Sequence, residues 1–279
     1  MEQSAYAAGI ESWRRQMEAS LRADDGWLTL AGLFWLHEGS NSFGADPASD
    51  IVLSAGAAPQ RAGVFELCDG VATLRPVEGA GVTVNDLPAG VARLRSDADG
   101  SPDRVGLGSL TLLVIQRGTR MGVRVKDTQS PARAAFGGRR WFALDETYRI
   151  QATFVPYDPP RLLSTTNILG DIGDTPSPGY ALFELDGQEY RLDALPDPNG
   201  LAFYFCDTTN ANTTYPAGRY LKSAPPQDGV VTLDFNRAYS PPCAFTTYAT
   251  CTLPPPQNRL PVSIKAGEQY DHDLATGHH

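Results

Sequence analysis

Apolar and polar positions change their period once along this chain. Residues 9–23 read GIESWRRQMEASLRA. Ile10, Trp13, Met17 and Leu21 recur at three- and four-residue spacing with charges between them, so one amphipathic helix is predicted here, ending near Asp24-Asp25-Gly26. Its apolar stripe is expected to dock on the body of the protein. Beyond it the period drops to two. DIVLS (50–54), GVFELC (63–68), VATLRPV (71–77), VTVN (82–85), VARLR (91–95), SLTLLVIQRG (109–118) and GVRVKD (122–127) are short apolar runs separated by Gly, Pro, Asn and Asp. Alternation of this kind marks half-buried antiparallel strands, and turn signals at such close spacing suggest a sandwich or barrel.

TQSPARAAFGG (128–138) reads as a join. After it come RRWFAL (139–144), RIQATFVPY (149–157), GLAFYFCDTT (200–209), GRYLKS (218–223) and GVVTLDFNRA (229–238), with VSIKAGE (262–268) as a further strand. ALFELDGQEYRLDAL (181–195) is predicted to be a hairpin turning at Asp186-Gly187, a favoured type I′ pair. Residues 159–179, poor in periodicity, read as a long loop. The expectation is a mainly β protein in three parts: an N-terminal amphipathic helix over 1–26, a β-sandwich over 27–130, and an antiparallel, partly barrel-like β domain with a proline-rich wrap over 131–279.

Composition narrows the function. Gly and Pro number 27 and 22 in 279 residues, which suits many turns and stays below the level of a disordered chain. With 23 basic and 32 acidic side chains the net charge is −9, and such a field argues against nucleic-acid binding. The first residues, MEQSAYAAGIESW, lack a basic segment and an apolar core, so no secretory signal is read there. No apolar run is long enough to span a bilayer, so no membrane contact is expected and the cytoplasm is the default compartment. There Cys68, Cys206, Cys243 and Cys251 are expected to be thiols. They contain no C-x-x-C pair, and His37 has no clustered second ligand, so neither a metal nor any other cofactor is expected. G-x-S-x-G, G-x-x-x-x-G-K-[ST] and H-E-x-x-H are all absent.

The candidate chemistry is concentrated in DFNRAYSPPCAFTTYATCTLPPPQNRL (234–260). Alternation directs Val231, Leu233 and Phe235 to one side of the preceding strand and Thr232, Asp234 and Asn236 to the other. Pro241-Pro242 must end the ladder, and Pro254-Pro255-Pro256 reads as extended chain. Two readings stand. In one, Arg219, Asp234, Asn236, Arg237, Tyr239, Cys243 and Tyr248 line a pocket for a small acidic or carbonyl-bearing molecule. In the other they form a structural network, in which Asp234 pairs with Arg219 or Arg237 and Asn236 satisfies loop backbone. A hydrolase or isomerase using the same groups, with Tyr239 or Cys243 taking part, is an alternative. Oligomeric state and ligand identity are not legible.

The chain resembles a bacterial family of uncharacterised conserved proteins, domain of unknown function 1684. The likeness is carried by GWLTLAGLFWLHEGSNSFG (26–44), RRWFAL, SPGYALFELDGQEYRL (177–192), YPAGRYL (215–221), the proline-rich stretch itself and IKAGE (264–268). It implies no activity. Residues FG (43–44), SDIVL, VTVND and LGSLTLLV resemble the forkhead-associated sandwich, which reads phosphothreonine in other proteins. In that family an arginine follows the glycine, and here Ala45 does; the Ser-Arg-x-His element reads Ala58-Pro59-Gln60-Arg61. Asn85 matches the usual asparagine. The resemblance therefore implies the sandwich fold without phosphothreonine reading, and leaves an interaction module as a third functional class.

Overall fold

A computed structural model describes residues 2–271. His272, His278 and His279 lie outside them. The protein is mainly β, with one N-terminal helix and several antiparallel sheets, none closed into a barrel among the described residues. The chain divides into two compact units, residues 21–136 and a discontinuous unit of residues 1–20 with 137–279.

Residues 21–136 form two sheets. One orders six strands: Leu30–Trp35, Arg120–Asp127, Leu110–Arg117, Arg104–Leu107, Thr83–Val84 and Leu87–Pro88. The other orders five: Ile51–Val52, Gly39–Gly44, Gly63–Cys68, Val71–Pro76 and Ala92–Arg93. Both contribute to one core, with Phe43, Phe65 and Leu74 from the second sheet and Leu112, Val114 and Val123 from the first. Alternation explains the burial: in Gly63–Cys68, residues 63, 65 and 67 are buried and 64, 66 and 68 are not. The pairing is antiparallel except between Gly39–Gly44 and Ile51–Val52. Asn85, at φ 50° in the turn after Thr83–Val84, donates to Asp103 at 2.9 Å and accepts from the Arg104 amide at 3.0 Å.

The other unit holds a four-stranded sheet in the order Gln188–Asp193, Ile172–Leu185, Arg149–Thr166, Val230–Asp234. A three-stranded sheet follows the order Leu195–Asp197, Gly200–Phe205, Arg219–Ser223, and a short pair joins Arg140–Trp141 to Glu268–Gln269. Phe183, Phe203, Phe205, Leu221, Leu233 and Phe235 meet in its core. The predicted hairpin is present: Leu185 pairs with Gln188 across Asp186 (φ 55°) and Gly187 (φ 75°).

Four expectations change. Residues 159–179 are not a loop: they lie mostly in the extended arms of Arg149–Thr166 and Ile172–Leu185, which pair from Arg161↔Ser177 to Thr166↔Ile172. Only Leu163 and Thr165 of the outgoing arm are buried, so period two is carried by too few apolar residues to register in the sequence. VSIKAGE contributes strand only at Glu268–Gln269, because the carbonyls of Ile264 and Ala266 face a guanidinium instead of a neighbouring strand. The strand before the proline-rich stretch stops at Asp234, and Phe235–Arg237 make a tight 3₁₀ turn. The antiparallel sheets of this unit do not close, so the barrel-like expectation reduces to open sheets.

The N-terminal helix covers Glu2–Arg22 and starts earlier than its pattern suggested. No helix of the described residues is long and apolar enough to cross a membrane.

Candidate functional site

The end of Val230–Asp234 places the candidate side chains. Its ladder to Arg149–Thr166 runs from Thr153↔Val230 to Arg149↔Asp234 and stops there. The 3₁₀ turn then aims Asn236 and Arg237 toward the N-terminal helix. Tyr239 exchanges two backbone hydrogen bonds with Tyr220, at 2.8 and 2.9 Å, which fixes the chain again before Pro241 and Pro242.

Asp234, Asn236 and Arg237 belong to one neighbourhood. Asp234 accepts from the Tyr6 phenol at 2.9 Å, and the Asn236 amide donates to the same phenol oxygen at 3.1 Å. Asn236, fully buried, also donates to the Asp145 carbonyl at 2.8 Å and accepts from the Asp145 amide at 3.2 Å. It thereby satisfies loop backbone. Burial, reinforced by Asp234, raises the Tyr6 phenol above its ordinary value, so it stays a donor. Arg237 is half-exposed, lies 5.9 Å from the Trp13 ring and faces Asp234 across 3.4 Å. Trp13 in turn packs edge-on against Tyr239 (6.5 Å) and Trp141 (5.4 Å), and the Arg14 guanidinium lies over Trp141 at 5.0 Å.

Arg219 stands apart from this group. Its guanidinium is fully buried, donating to Asp207 at 2.5 Å and to the carbonyls of Ala266 (2.5 Å) and Ile264 (2.9 Å), with the Phe205 ring at 5.2 Å. Burial pulls its pKa down and Asp207 opposes the shift. Asp207 also accepts from the Thr209 amide at 2.7 Å, capping the turn Thr208–Ala211. The carboxylate mate of Arg219 is thus Asp207, while Asp234 faces Arg237.

A third neighbourhood surrounds Cys243. Its amide donates to the Cys251 sulfur at 3.3 Å and its carbonyl accepts from the Tyr215 phenol at 2.9 Å. Tyr248 is exposed. The structure therefore brings together Asp234, Asn236, Arg237 and, through Trp13, Tyr239, and it sets Arg219, Cys243 and Tyr248 elsewhere.

Sequence reasoning missed Tyr6, Asp145 and the buried pair Arg139–Glu268. Tyr6 had a signal, because it continues the stripe Ile10, Trp13, Met17 by four residues toward the N-terminus. Arg139 donates to Glu268 at 2.5 Å, and the Ser240 amide donates to the same carboxylate at 2.7 Å. Burial nevertheless pushes Glu268 up to about 7, with Arg139 opposing it. No group of three or more His, Cys, Asp and Glu side chains among the described residues could hold a metal ion.

Comparison with known proteins gives relatives without an activity. No curated protein matches the chain. The uncharacterized protein from gene locus rrnAC0354 of Haloarcula marismortui, solved by solution NMR, is 32% identical over 50% of this chain and 80% of its own, with a TM-score of 0.43. Two solved forkhead-associated (FHA) domains are each 21% identical over 34% of this chain, with TM-scores of 0.25. One, covered over 92% of its length, comes from a study of phosphothreonine-dependent FHA domain interactions. The other, covered over 97%, is the FhaA FHA domain complexed with the intracellular domain of Rv3910. Residues 134–269, which include the whole proline-rich stretch, match the family described as "Protein of unknown function (DUF1684)".

Proposed function

We propose that the protein binds a small molecule bearing a carboxylate or carbonyl group, and that Arg237 receives it. The observation that carries this reading is the state of the Arg237 guanidinium. The side chain is half-exposed, and its Nε, which is itself buried, faces Asp234 at 3.4 Å without forming a hydrogen bond, so the terminal NH2 groups are the part of the fork open to a ligand. A fork held this way against an indole keeps donors free for a bidentate, charge-assisted contact. Trp13 and Tyr239 supply an aromatic wall beside it. Asp234 and Asn236 act indirectly in this reading, by fixing the turn that carries Arg237. Arg219 does not touch the ligand, because its guanidinium is enclosed by Asp207 and two carbonyls.

The test is thermal stabilisation across a panel of small carboxylates and carbonyl compounds, with native mass spectrometry of the protein as purified from cells. At a ligand concentration of 100 Kd, stabilisation is about 2.7 kcal/mol. Arg237→Ala is expected to abolish it while the unliganded melting temperature stays close to that of the parent. Stabilisation that survives in Arg237→Ala overturns the reading. A variant that simply unfolds assigns Arg237 to the structural network instead. Arg219→Met is the contrasting control: loss of one partner of a buried pair costs about 3–5 kcal/mol, ligand or no ligand.

A further inference from the structure

The chain between its two proline clusters brings two cysteines, Cys243 and Cys251, into contact. The Cys243 amide donates to the Cys251 sulfur at 3.3 Å. Both are free thiols. The backbone around each is pinned from outside the segment. Tyr215 donates to the Cys243 carbonyl at 2.9 Å, and the Ile168 amide donates to the Cys251 carbonyl at 2.8 Å. Next to Cys251, Tyr220 donates to the Thr252 carbonyl at 2.5 Å and the Leu253 amide donates to Thr166 at 2.7 Å. A disulfide needs Cβ atoms about 3.5–4.5 Å apart, and the amide contact already holds the Cys251 sulfur against the backbone of Cys243. Their exposure differs: Cys243 is half-buried and Cys251 is buried.

We propose that Cys243 and Cys251 form a two-electron redox site, in which Cys243 reduces a hydroperoxide and Cys251 closes the disulfide. The Cys243 thiolate attacks the terminal oxygen of the hydroperoxide. The O–O bond breaks, a sulfenic acid forms at Cys243, and the other oxygen takes a proton and leaves as an alcohol, or as water when the substrate is hydrogen peroxide. Cys251 sulfur then attacks the Cys243 sulfur. The S–S bond forms, the S–O bond breaks, and hydroxide leaves with the Cys251 proton as water. Two thiols are oxidised by two electrons in all, and one peroxide is reduced.

The two thiols are set apart for these roles. The hydrogen bond from Cys251 holds Cys243 below its ordinary value, against burial. The same bond and burial push Cys251 up, as suits a group that stays protonated until the second step. The other two cysteines serve as internal comparators. Cys68 is exposed, but Asp69 raises its pKa; Cys206 is buried, and burial raises its own. Oxidation governed by exposure alone would strike Cys68 first.

The experiment uses the full chain, reduced and then treated with one equivalent of hydrogen peroxide at neutral pH, followed by peptide mapping without reductant. The expected product has lost about 2 Da and contains a Cys243–Cys251 crosslink, with Cys68 still a thiol, and a dithiol reverses it. In Cys251→Ser the sulfenic acid at Cys243 is expected to persist and be captured by a 1,3-dione, with Cys243 labelled about tenfold faster than Cys68. Oxidation of Cys68 ahead of Cys243, or over-oxidation of Cys243 with Cys251 left as a thiol, overturns the proposal. If the variant misfolds, the map of the unmodified chain decides. The outcome is independent of ligand binding at Arg237.

Discussion

At the scale of single residues, two buried ion pairs flank the proline-rich stretch, and the Ser240 amide ties it to one of them. Arg219 meets Asp207, and Arg139 meets Glu268. Glu268 is the member of these pairs that titrates within reach of experiment. Its folded-state pKa, about 7, lies above its ordinary 4.5. Between those values the native state binds the proton and the unfolded chain does not, so stability falls as pH rises. The contribution is complete below about pH 4.5 and lost by about pH 7, a change on the order of 3 kcal/mol. Urea midpoints measured from pH 4.5 to 7.5 are expected to decline in the parent relative to Glu268→Gln, which has no carboxyl to titrate. Parallel profiles would refute this. The sequence placed Arg219 and Arg237 beside a carboxylate, as charge pairing demands. Of its two pairings for Asp234 the one with Arg237 is present; the mates of Arg219 and Arg139 were not legible, because Asp207 reaches Arg219 across a neighbouring strand and Glu268 reaches Arg139 from the far end of the domain.

Secondary-structure elements were legible where period and turn chemistry agreed. GVFELC and the hairpin at Asp186-Gly187 appear as expected, since alternation and a type I′ dipeptide each specify a local geometry. The long arms of Arg149–Thr166 and Ile172–Leu185 were not, because their prolines and exposed residues conceal the pairing. Two glycines separate conformational strain from collision. Gly187 has φ 75° and open space where a Cβ would point. Gly267 has φ 80°, and a Cβ there would stand 2.4 Å from the Ala238 carbonyl oxygen and 2.7 Å from that of Phe235. Gly187→Ala is expected to cost about 1–2 kcal/mol from its backbone angle alone. Gly267→Ala must also displace backbone next to Glu268 and is expected to cost more than twice as much. Denaturant midpoints of the two variants compare the costs; equal losses would show that the segment around Gly267 yields freely.

For the whole molecule, the notable fact is that one unit is discontinuous, with residues 1–20 assigned to the same unit as 137–279. The helical pattern predicted that an apolar stripe would dock, and Ile10 is buried. The pattern could not say where, since nothing in a stripe of Tyr6, Ile10, Trp13 and Met17 names a surface more than a hundred residues away. Removing residues 1–20 is expected to expose Trp141, Asn236 and Tyr239, and to raise amide exchange by roughly tenfold or more in 139–148 and 234–240. Exchange across the strands Leu110–Arg117 and Arg120–Asp127 is expected to stay as it was. Uniform loss of protection, or none, would contradict this assignment. The discontinuity also has a cost in time. Ribosomes add about 5–20 residues per second, so the first twenty residues emerge roughly 10–45 s before the turn at Phe235–Arg237 that receives Tyr6 and Trp13. Throughout that interval the two large aromatic rings of the helix have at most the part of their destination around Trp141, and the rest of it waits for the turn to be made.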